Sequence, residues 1–360
     1  MHSLPSPPIS ELGLSWKPAI ATVSLGAANL HPIIAKLDAA ARNGQQGLEL
    51  FHDDLAQLAK TLQLNDSSPR SARDYEIDAA HAIHHLCAER HLQVLALQPF
   101  RHYEGLVDPA RHGERIDELR HWVKLTKILG DSLFILIPSS FLDPSEITGD
   151  RDRLAADLAE AADLAFPVRI AYEALAWGTY INTWEDSWDV IKRANRPNLG
   201  ICLDTFNIAA RLWADPTDPT GRLPANADKS LQDSMDRLVR EIDPSRVLMV
   251  QLADGERVDP QTPFLHVGLP TLLAWSRNAR LFPCEEERGG YLPIRKVTDA
   301  CITRLGYTGW VSMEVFSRTT GDDNPVVPDE HARRASQSWQ RVLRYLGDKM
   351  EKGSNSVALD

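Results

Sequence analysis

The sequence predicts an α/β fold, a single (β/α)8 TIM barrel, from three observations. Eight short apolar runs each stop abruptly at polar residues, helix-patterned segments separate them, and 360 residues suffice for one barrel with insertions. Near-continuous apolar runs mark strands buried on both faces of a parallel sheet, and eight of them close a barrel. No short-period repeat or Gly/Ser linker divides the chain. The expected organisation is a disordered Pro- and Ser-rich segment over residues 1–15, one catalytic domain over 16–350 and a disordered tail over 351–360.

The first run is AIATVSLG, residues 19–26. A helix over 31–43 follows, apolar at Ile33, Ile34, Leu37, Ala40 and Ala41, and Gly44 stops it. The second and third runs are GLELF at 47–51 and QVLALQPF at 93–100. A helix over 112–129 carries Ile116, Leu119, Val123 and Ile128 and closes on Gly130. The fourth and fifth runs, SLFILIPSS at 132–140 and VRIAYE at 168–173, precede a helix over 184–194. Thr183 caps that helix, with Asp186 as its reciprocal partner. LGICLD at 199–204, RVLMVQL at 246–252 and WVSMEVF at 310–316 complete the eight, and a helix over 328–345 packs on the barrel. The connections 213–226 and 253–292 exceed what a barrel needs. Both follow strands, which places them on the catalytic face as lids or binding loops.

Lys and Arg total 39 against 50 Asp and Glu, a net charge of −11. Such a chain lacks the basic footprint that binds phosphate backbones, so neither nucleic acid nor an anionic membrane is an expected partner. No apolar stretch approaches the ~20 residues that span a bilayer, and the first residues show no signal-peptide pattern. Cys87, Cys202, Cys284 and Cys301 form no CxxC pair and suit a reducing compartment, so a soluble, cytoplasmic protein is expected. Neither GxGxxG nor a Walker A sequence occurs, and no nucleotide cofactor is expected.

Four strand ends carry oxygen donors: Glu173 on the fifth run, Asp204 on the sixth, Gln251 on the seventh and Glu314 on the eighth. Side chains at the C-terminal ends of barrel strands converge on one mouth. Three carboxylates there repel one another unless a cation lies between them. A ligand set of oxygens alone favours a hard divalent ion, Mg²⁺ or Mn²⁺, over Zn²⁺. Any one of these acids alone would equally serve as a helix cap or ion-pair partner. Four on successive strands, each ending an apolar run, make the stronger case for a metal site.

The segments LELFHDDL, LQPFRHYEGL, YEALAWGTYINTWEDSW, ICLDTFNIA, WSRNARLF, EEERGGYLP and GWVSMEVFSR resemble the fungal 3-dehydroshikimate dehydratases of quinate catabolism, members of the xylose-isomerase-like TIM barrels. The resemblance runs from about Lys17 to Leu346, and WSRNARLF and EEERGGYLP are its specific part. It implies a hydro-lyase that turns 3-dehydroshikimate into protocatechuate through a metal-stabilised enediolate. It also implies one divalent cation (Mg²⁺, Mn²⁺ or Co²⁺) on Glu173, Asp204, Gln251 and Glu314. Substrate contacts are implied for Arg101, Ser276 and Arg280, the arginines serving the substrate carboxylate. Without the resemblance, Arg277 and Arg280 read as a solvated surface pair.

The expected proton acceptor is Glu49, at the end of the second run; Glu104 and His52 are weaker options, and a structural ion pair is the competing role for Glu49. Many relatives carry histidine where this chain has Leu175 and Asn207, and asparagine where it has Ser140; the fungal group shares Asn207. His81, His84 and His85 read as helix-surface histidines without a zincin arrangement. Two other functions stay open at this stage. One is a keto-sugar isomerase or epimerase using the same metal chemistry, and the other is an inactive barrel that senses a metabolite. Oligomeric state is not legible.

Overall fold

A computed structural model describes residues 16–357 except 69, 131 and 132, with side chains as far as Met350. The expected disordered segment 1–15 and the last three tail residues, 358–360, lie outside the described residues. Eight parallel strands close a barrel: β1 (Lys17–Ala21), β2 (Gly47–Phe51), β3 (Gln93–Gln98), β4 (Phe134–Pro138), β5 (Arg169–Glu173), β6 (Leu199–Asp204), β7 (Val247–Leu252) and β10 (Trp310–Met313). Each neighbours the next in that order, and β10 pairs with β1. β8 (Asp254–Gly255) and β9 (Arg280–Leu281) form a separate antiparallel pair.

Every residue of β2, β4 and β6 is buried, which is why these strands read as unbroken apolar runs. Side chains alternate along a strand, so one set faces the barrel axis and the other the helices. Ala19, Leu95, Ala96, Phe134, Leu136, Ala171, Cys202 and Met249 form a small apolar cluster of their own. The larger cluster lies between the strands and the helices α1 (Ile33–Arg42), α2 (His52–Leu64), α3 (Ala72–Glu89), α4 (Pro109–Leu129), α5 (Arg151–Ala165), α6 (Trp184–Ala194), α7 (Thr205–Leu212) and α8 (Ala227–Glu241). α9 (Thr271–Ala279), α10 (Ile294–Asp299) and α11 (Val327–Val357) complete the chain.

Three elements differ from expectation. The first strand ends at Ala21, and a 3-10 turn covers Thr22–Leu25. There the Ser24 hydroxyl donates to Met313 O (3.2 Å) and accepts from Val315 N (2.7 Å), replacing the strand ladder with side-chain bonds. The last helix begins at Val327 and its backbone stays helical to Val357, beyond the expected end at 345. The connection 253–292 holds α9 and the β8–β9 pair rather than an open loop. Gly255 is required there by close approach, since a Cβ would stand 2.5 Å from the Trp275 ring. The base of this insertion is pinned to α11 by a buried two-pronged ion pair from Arg334 to Glu285 at 2.8 and 2.7 Å.

A second buried ion pair ties α1 to the start of α2. Lys36 on α1 donates to Asp54 Oδ1 at 2.6 Å and to Gly26 O at 2.5 Å, with no solvent-exposed surface on Lys36. Burial lowers the Lys36 pKa and raises that of Asp54, each against the attraction of the other, so both charges depend on their partner. Lys36→Met should therefore destabilise the chain by about 3–5 kcal/mol by leaving Asp54 buried and unpaired. Lys36→Met with Asp54→Leu should recover much of that loss in denaturant titrations. An unchanged midpoint in the single variant would contradict the assignment.

Candidate active site

The strand alternation that buries Ala171, Cys202 and Met249 carries Glu173, Asp204 and Gln251, two residues on, to the same inward side at the barrel mouth. Glu314 follows the end of β10. Glu173, Asp204 and Glu314 each bring a carboxylate oxygen within 4.8 Å of the other two, and all three are buried. Burial, then the charges of Glu314 and Asp204, pushes the Glu173 carboxyl well above its ordinary range. Burial also pushes Glu314 up to about 7, against the pull of Arg280.

Arg280 is the cation bonded to this cluster. Its Nη1 donates to Asp204 Oδ2 at 2.7 Å, Glu314 Oε2 at 3.1 Å and the Glu314 carbonyl at 3.2 Å, while its Nε donates to Ser276 Oγ at 2.9 Å. The guanidinium lies over Phe206, 4.3 Å from its centroid, and is 1 % exposed. Burial opposes its charge, yet Asp204, Glu314 and Glu173 outweigh burial and raise its pKa. The surface role that local sequence offered for Arg280 does not hold. Its Nε and Nη1 are engaged within the protein, and the residue also lines the cavity. Three carboxylates against one guanidinium leave a formal −2 at the cluster, which one divalent cation balances. The oxygen donors suit a hard ion.

Asn207, noted in the sequence only as a departure from histidine, bridges two of these acids. Its Nδ2 donates to Glu173 Oε1 at 2.9 Å and Asp204 Oδ2 at 3.0 Å, and its Oδ1 accepts from Ala176 N. Asp204 caps α7 through the Asn207 amide at 3.0 Å. The legible signal was this position, the third residue after an acid that ends a strand and starts a helix.

Glu49, the expected proton acceptor, lies beside the acidic cluster. It is fully buried and outside the cavity lining; its Oε2 accepts from Gln98 Nε2 and from Gln251 Nε2 at 2.7 Å. Burial, then the Glu314 charge, pushes its pKa well up. Its carboxylate also holds the Gln251 amide nitrogen. Glu104 is also internal, accepting from Ser140 N at 2.6 Å and Tyr172 Oη at 3.0 Å. The Ser140 hydroxyl sits 3.0 Å from Glu104 Oε2, so the unusual serine serves this buried acid. His52 stacks on Trp122 and faces Glu76. His84 bonds the Leu129 carbonyl and His85 lies on the surface beside Glu89.

The cavity above the carboxylates takes in about 490 Å³ together with the solvent at its open mouth. Phe51, Phe141, Trp177 and Phe316 wall it; Glu173, Glu314, Arg101, Ser276, Arg277 and Arg280 supply polar groups. Arg101 follows β3 and Arg277 stands on α9. Leu175 lines the cavity, so the position where many relatives carry histidine is apolar here.

Residues 37–343 match the family model described as xylose isomerase-like TIM barrel. The chain is 41% identical over 340 residues to the 3-dehydroshikimate dehydratase of Neurospora crassa, covering 92% of this chain and 94% of that one. It is 32% identical to the 3-dehydroshikimate dehydratase of Pseudomonas aeruginosa over 95% of this chain, which spans 44% of that longer relative. Among solved structures, a xylose isomerase-like TIM barrel/4-hydroxyphenylpyruvate dioxygenase fusion protein superposes with a TM-score of 0.70 at 24% identity, covering 94% of this chain and 44% of that one.

Two outcomes are expected. Mn²⁺ at a hundred times its Kd should stabilise the metal-free chain by about 2.7 kcal/mol, and Asn207→Ala should raise that Kd about 10–100-fold in calorimetric titrations. Equal affinities would remove Asn207 from the positioning of the acids. Separately, Glu104 keeps its proton to about pH 7 in the folded chain through burial, against an ordinary value of 4.5. The folded state thus binds more protons between those values, and stability falls as pH rises through that window. Glu104→Gln should remove about 3 kcal/mol of that fall, read from denaturation midpoints at pH 4.5 and 7.5 in chelator.

Proposed function

This chain belongs to the xylose isomerase-like TIM barrel family, and we propose that it is a 3-dehydroshikimate dehydratase, a hydro-lyase forming protocatechuate. The observation that carries the reading is one cavity joining an acidic cluster short of positive charge to arginines that have no anion. 3-Dehydroshikimate has matching ends: a ketone beside a hydroxyl-bearing carbon, and a ring carboxylate.

Glu173, Asp204, Gln251 and Glu314 would hold one divalent cation, Mg²⁺, Mn²⁺ or Co²⁺. Bound there, it would act as a Lewis acid toward the ketone oxygen. The chain's own groups supply the rest. Glu173 and Glu314 are the cavity-lining side chains able to accept a proton, and Asn207 and Arg280 fix their oxygens. Phe51 and Phe316, in edge contact at 5.8 Å, wall the space for a six-membered ring. Removing one proton and the β-hydroxyl expels water; loss of a further ring proton as the ketone becomes a phenol leaves the aromatic acid. No oxidant is needed, since substrate and product differ by one water.

The proposal includes a cytoplasmic location. Four unpaired thiols support it, and no described helix is long and apolar enough to cross a membrane. A neutral keto-sugar would leave the cavity arginines without a partner, which favours the acid over the epimerase alternative.

Purified protein with Mn²⁺ or Mg²⁺ should generate protocatechuate absorbance in the near ultraviolet from 3-dehydroshikimate, lose it with chelator and regain it with metal. Glu314→Ala should abolish both turnover and metal binding. Full turnover by protein shown to be metal-free would overturn the cation assignment, and no turnover under any metal would overturn the activity.

A further inference from the structure

We infer that His112, Asp157 and Glu160 form a second divalent-cation site, on the helices rather than at the barrel mouth, that takes a borderline ion such as Zn²⁺. Each of the three offers a ligand atom within 4.8 Å of the others, and among the described residues only the strand-end acids form another such group. His112 lies near the start of α4, and Asp157 and Glu160 stand three residues apart on one face of α5. One imidazole nitrogen and two carboxylates suit Zn²⁺, with a further position left for water. The all-oxygen set at the mouth suits a harder ion. The two groups share no residue, so this site stands whether or not the dehydratase reading does.

Two ordinary ion pairs account for part of the cluster. His112 Nε2 faces Glu160 Oε2 at 2.8 Å, and Arg153 Nε donates to Asp157 Oδ1 at 2.9 Å. They leave two polar atoms unexplained. The Tyr103 hydroxyl, on a side chain with no exposed surface, and His112 Nδ1 are both buried without a hydrogen-bond partner. The Tyr103 ring lies 5.5 Å from that of His112. Its hydroxyl approaches Glu160 without completing a hydrogen bond, and burial, then the charges of Glu160 and Asp157, raises its pKa. Buried polar atoms are nearly always paired, so a cluster with two orphans lacks a component. A hydrated cation supplies it, since water on the ion can bond the phenol. Arg153, the present partner of Asp157, is half-exposed and able to turn into solvent, and the Glu160 side chain reaches solvent as well, which opens a path for entry. Asp157 Oδ2 also accepts from Gly105 N at 2.8 Å, in the loop that runs from β3 past Arg101 to α4. An ion here would fasten that loop and α4 to α5, a structural role.

The test empties the mouth first. Metal-free Glu314→Ala protein titrated with Zn²⁺ should bind one equivalent and melt at a higher temperature, and Co²⁺ in its place should give the visible absorption of a protein-bound ion. In that background His112→Gln and Glu160→Gln should each weaken Zn²⁺ binding at least about a hundredfold, more than loss of an outer partner costs, and remove the Co²⁺ absorption. Tyr103→Phe should weaken it about tenfold. Glu160→Gln alters a side chain that reaches solvent, so it decides the matter should His112→Gln melt early in chelator. In the otherwise unchanged chain, His112→Gln should leave the Mn²⁺ affinity of the mouth at the wild-type value. If the mouth takes no metal, the wild type should bind one equivalent of Zn²⁺ instead of two, and the same substitutions should remove it. Failure of Glu314→Ala protein to bind Zn²⁺, or Zn²⁺ binding unchanged by both His112→Gln and Glu160→Gln, overturns the site.

Discussion

Glu173, Asp204 and Glu314 place carboxylate oxygens within 4.8 Å of one another, almost out of solvent, and Arg280 is the cation the described residues bond to them. Like charges at such separations are tolerated only where opposite charge and hydrogen bonds compensate the lost hydration. The neighbouring features serve that requirement. Asn207 donates to two of the acids, Asp204 also caps α7, and Ser276 orients the guanidinium that bonds two carboxylates. Glu49 lies outside the cavity lining and holds the nitrogen of Gln251. A formal −2 nevertheless survives these contacts. The cluster thus carries more acid than its one bonded guanidinium offsets, and that distinguishes it from the one-to-one Arg334–Glu285 pair.

Much of this was legible in the sequence because barrel geometry turns one-dimensional position into three-dimensional convergence. The eight runs became the eight barrel strands, and three of the four donors at their ends, Glu173, Asp204 and Glu314, met at one mouth. What could not be read was orientation. Glu49 and Glu173 both sit near strand ends, but the neighbours of Glu49, Gln98 and Gln251, turn it inward beneath the cavity, while Glu173 lines it. Ser276 and Arg280, four residues apart, would share one face of a continuous helix. The chain instead ends α9 at Ala279 and starts β9 at Arg280, which swings the guanidinium down to Asp204. Arg277, passed over as a surface residue, is exposed as expected and still lines the cavity, because the surface of α9 forms part of the mouth.

Barrel and insertion divide the work. The acids and Gln251 come from strand ends, where backbone hydrogen bonding to two neighbours sets their positions firmly, as the Asp204–Gln251 register across β6 and β7 illustrates. Ser276, Arg277 and Arg280 come from the segment between β7 and α10. That segment is tied down by the β8–β9 pair, by Trp275 Nε1 donating to Glu256 O at 3.0 Å, and by Arg334 of α11 bonding Glu285. These ties hold it rigid enough to position a guanidinium among buried acids, yet it lies outside the barrel ladder. Changes in the segment can alter which molecule is held without disturbing the carboxylates. Arg280 is the exception, since it belongs to both. Its Nη1 is anchored to strand-end acids and its backbone to Phe316 O, so the insertion is registered to the cation site through one side chain. The same contact that offsets carboxylate repulsion thereby sets the distance between the strand-end acids and the cavity-lining side chains of the insertion. A TIM barrel of this kind can thus differ in substrate from its structural neighbours while keeping the same floor.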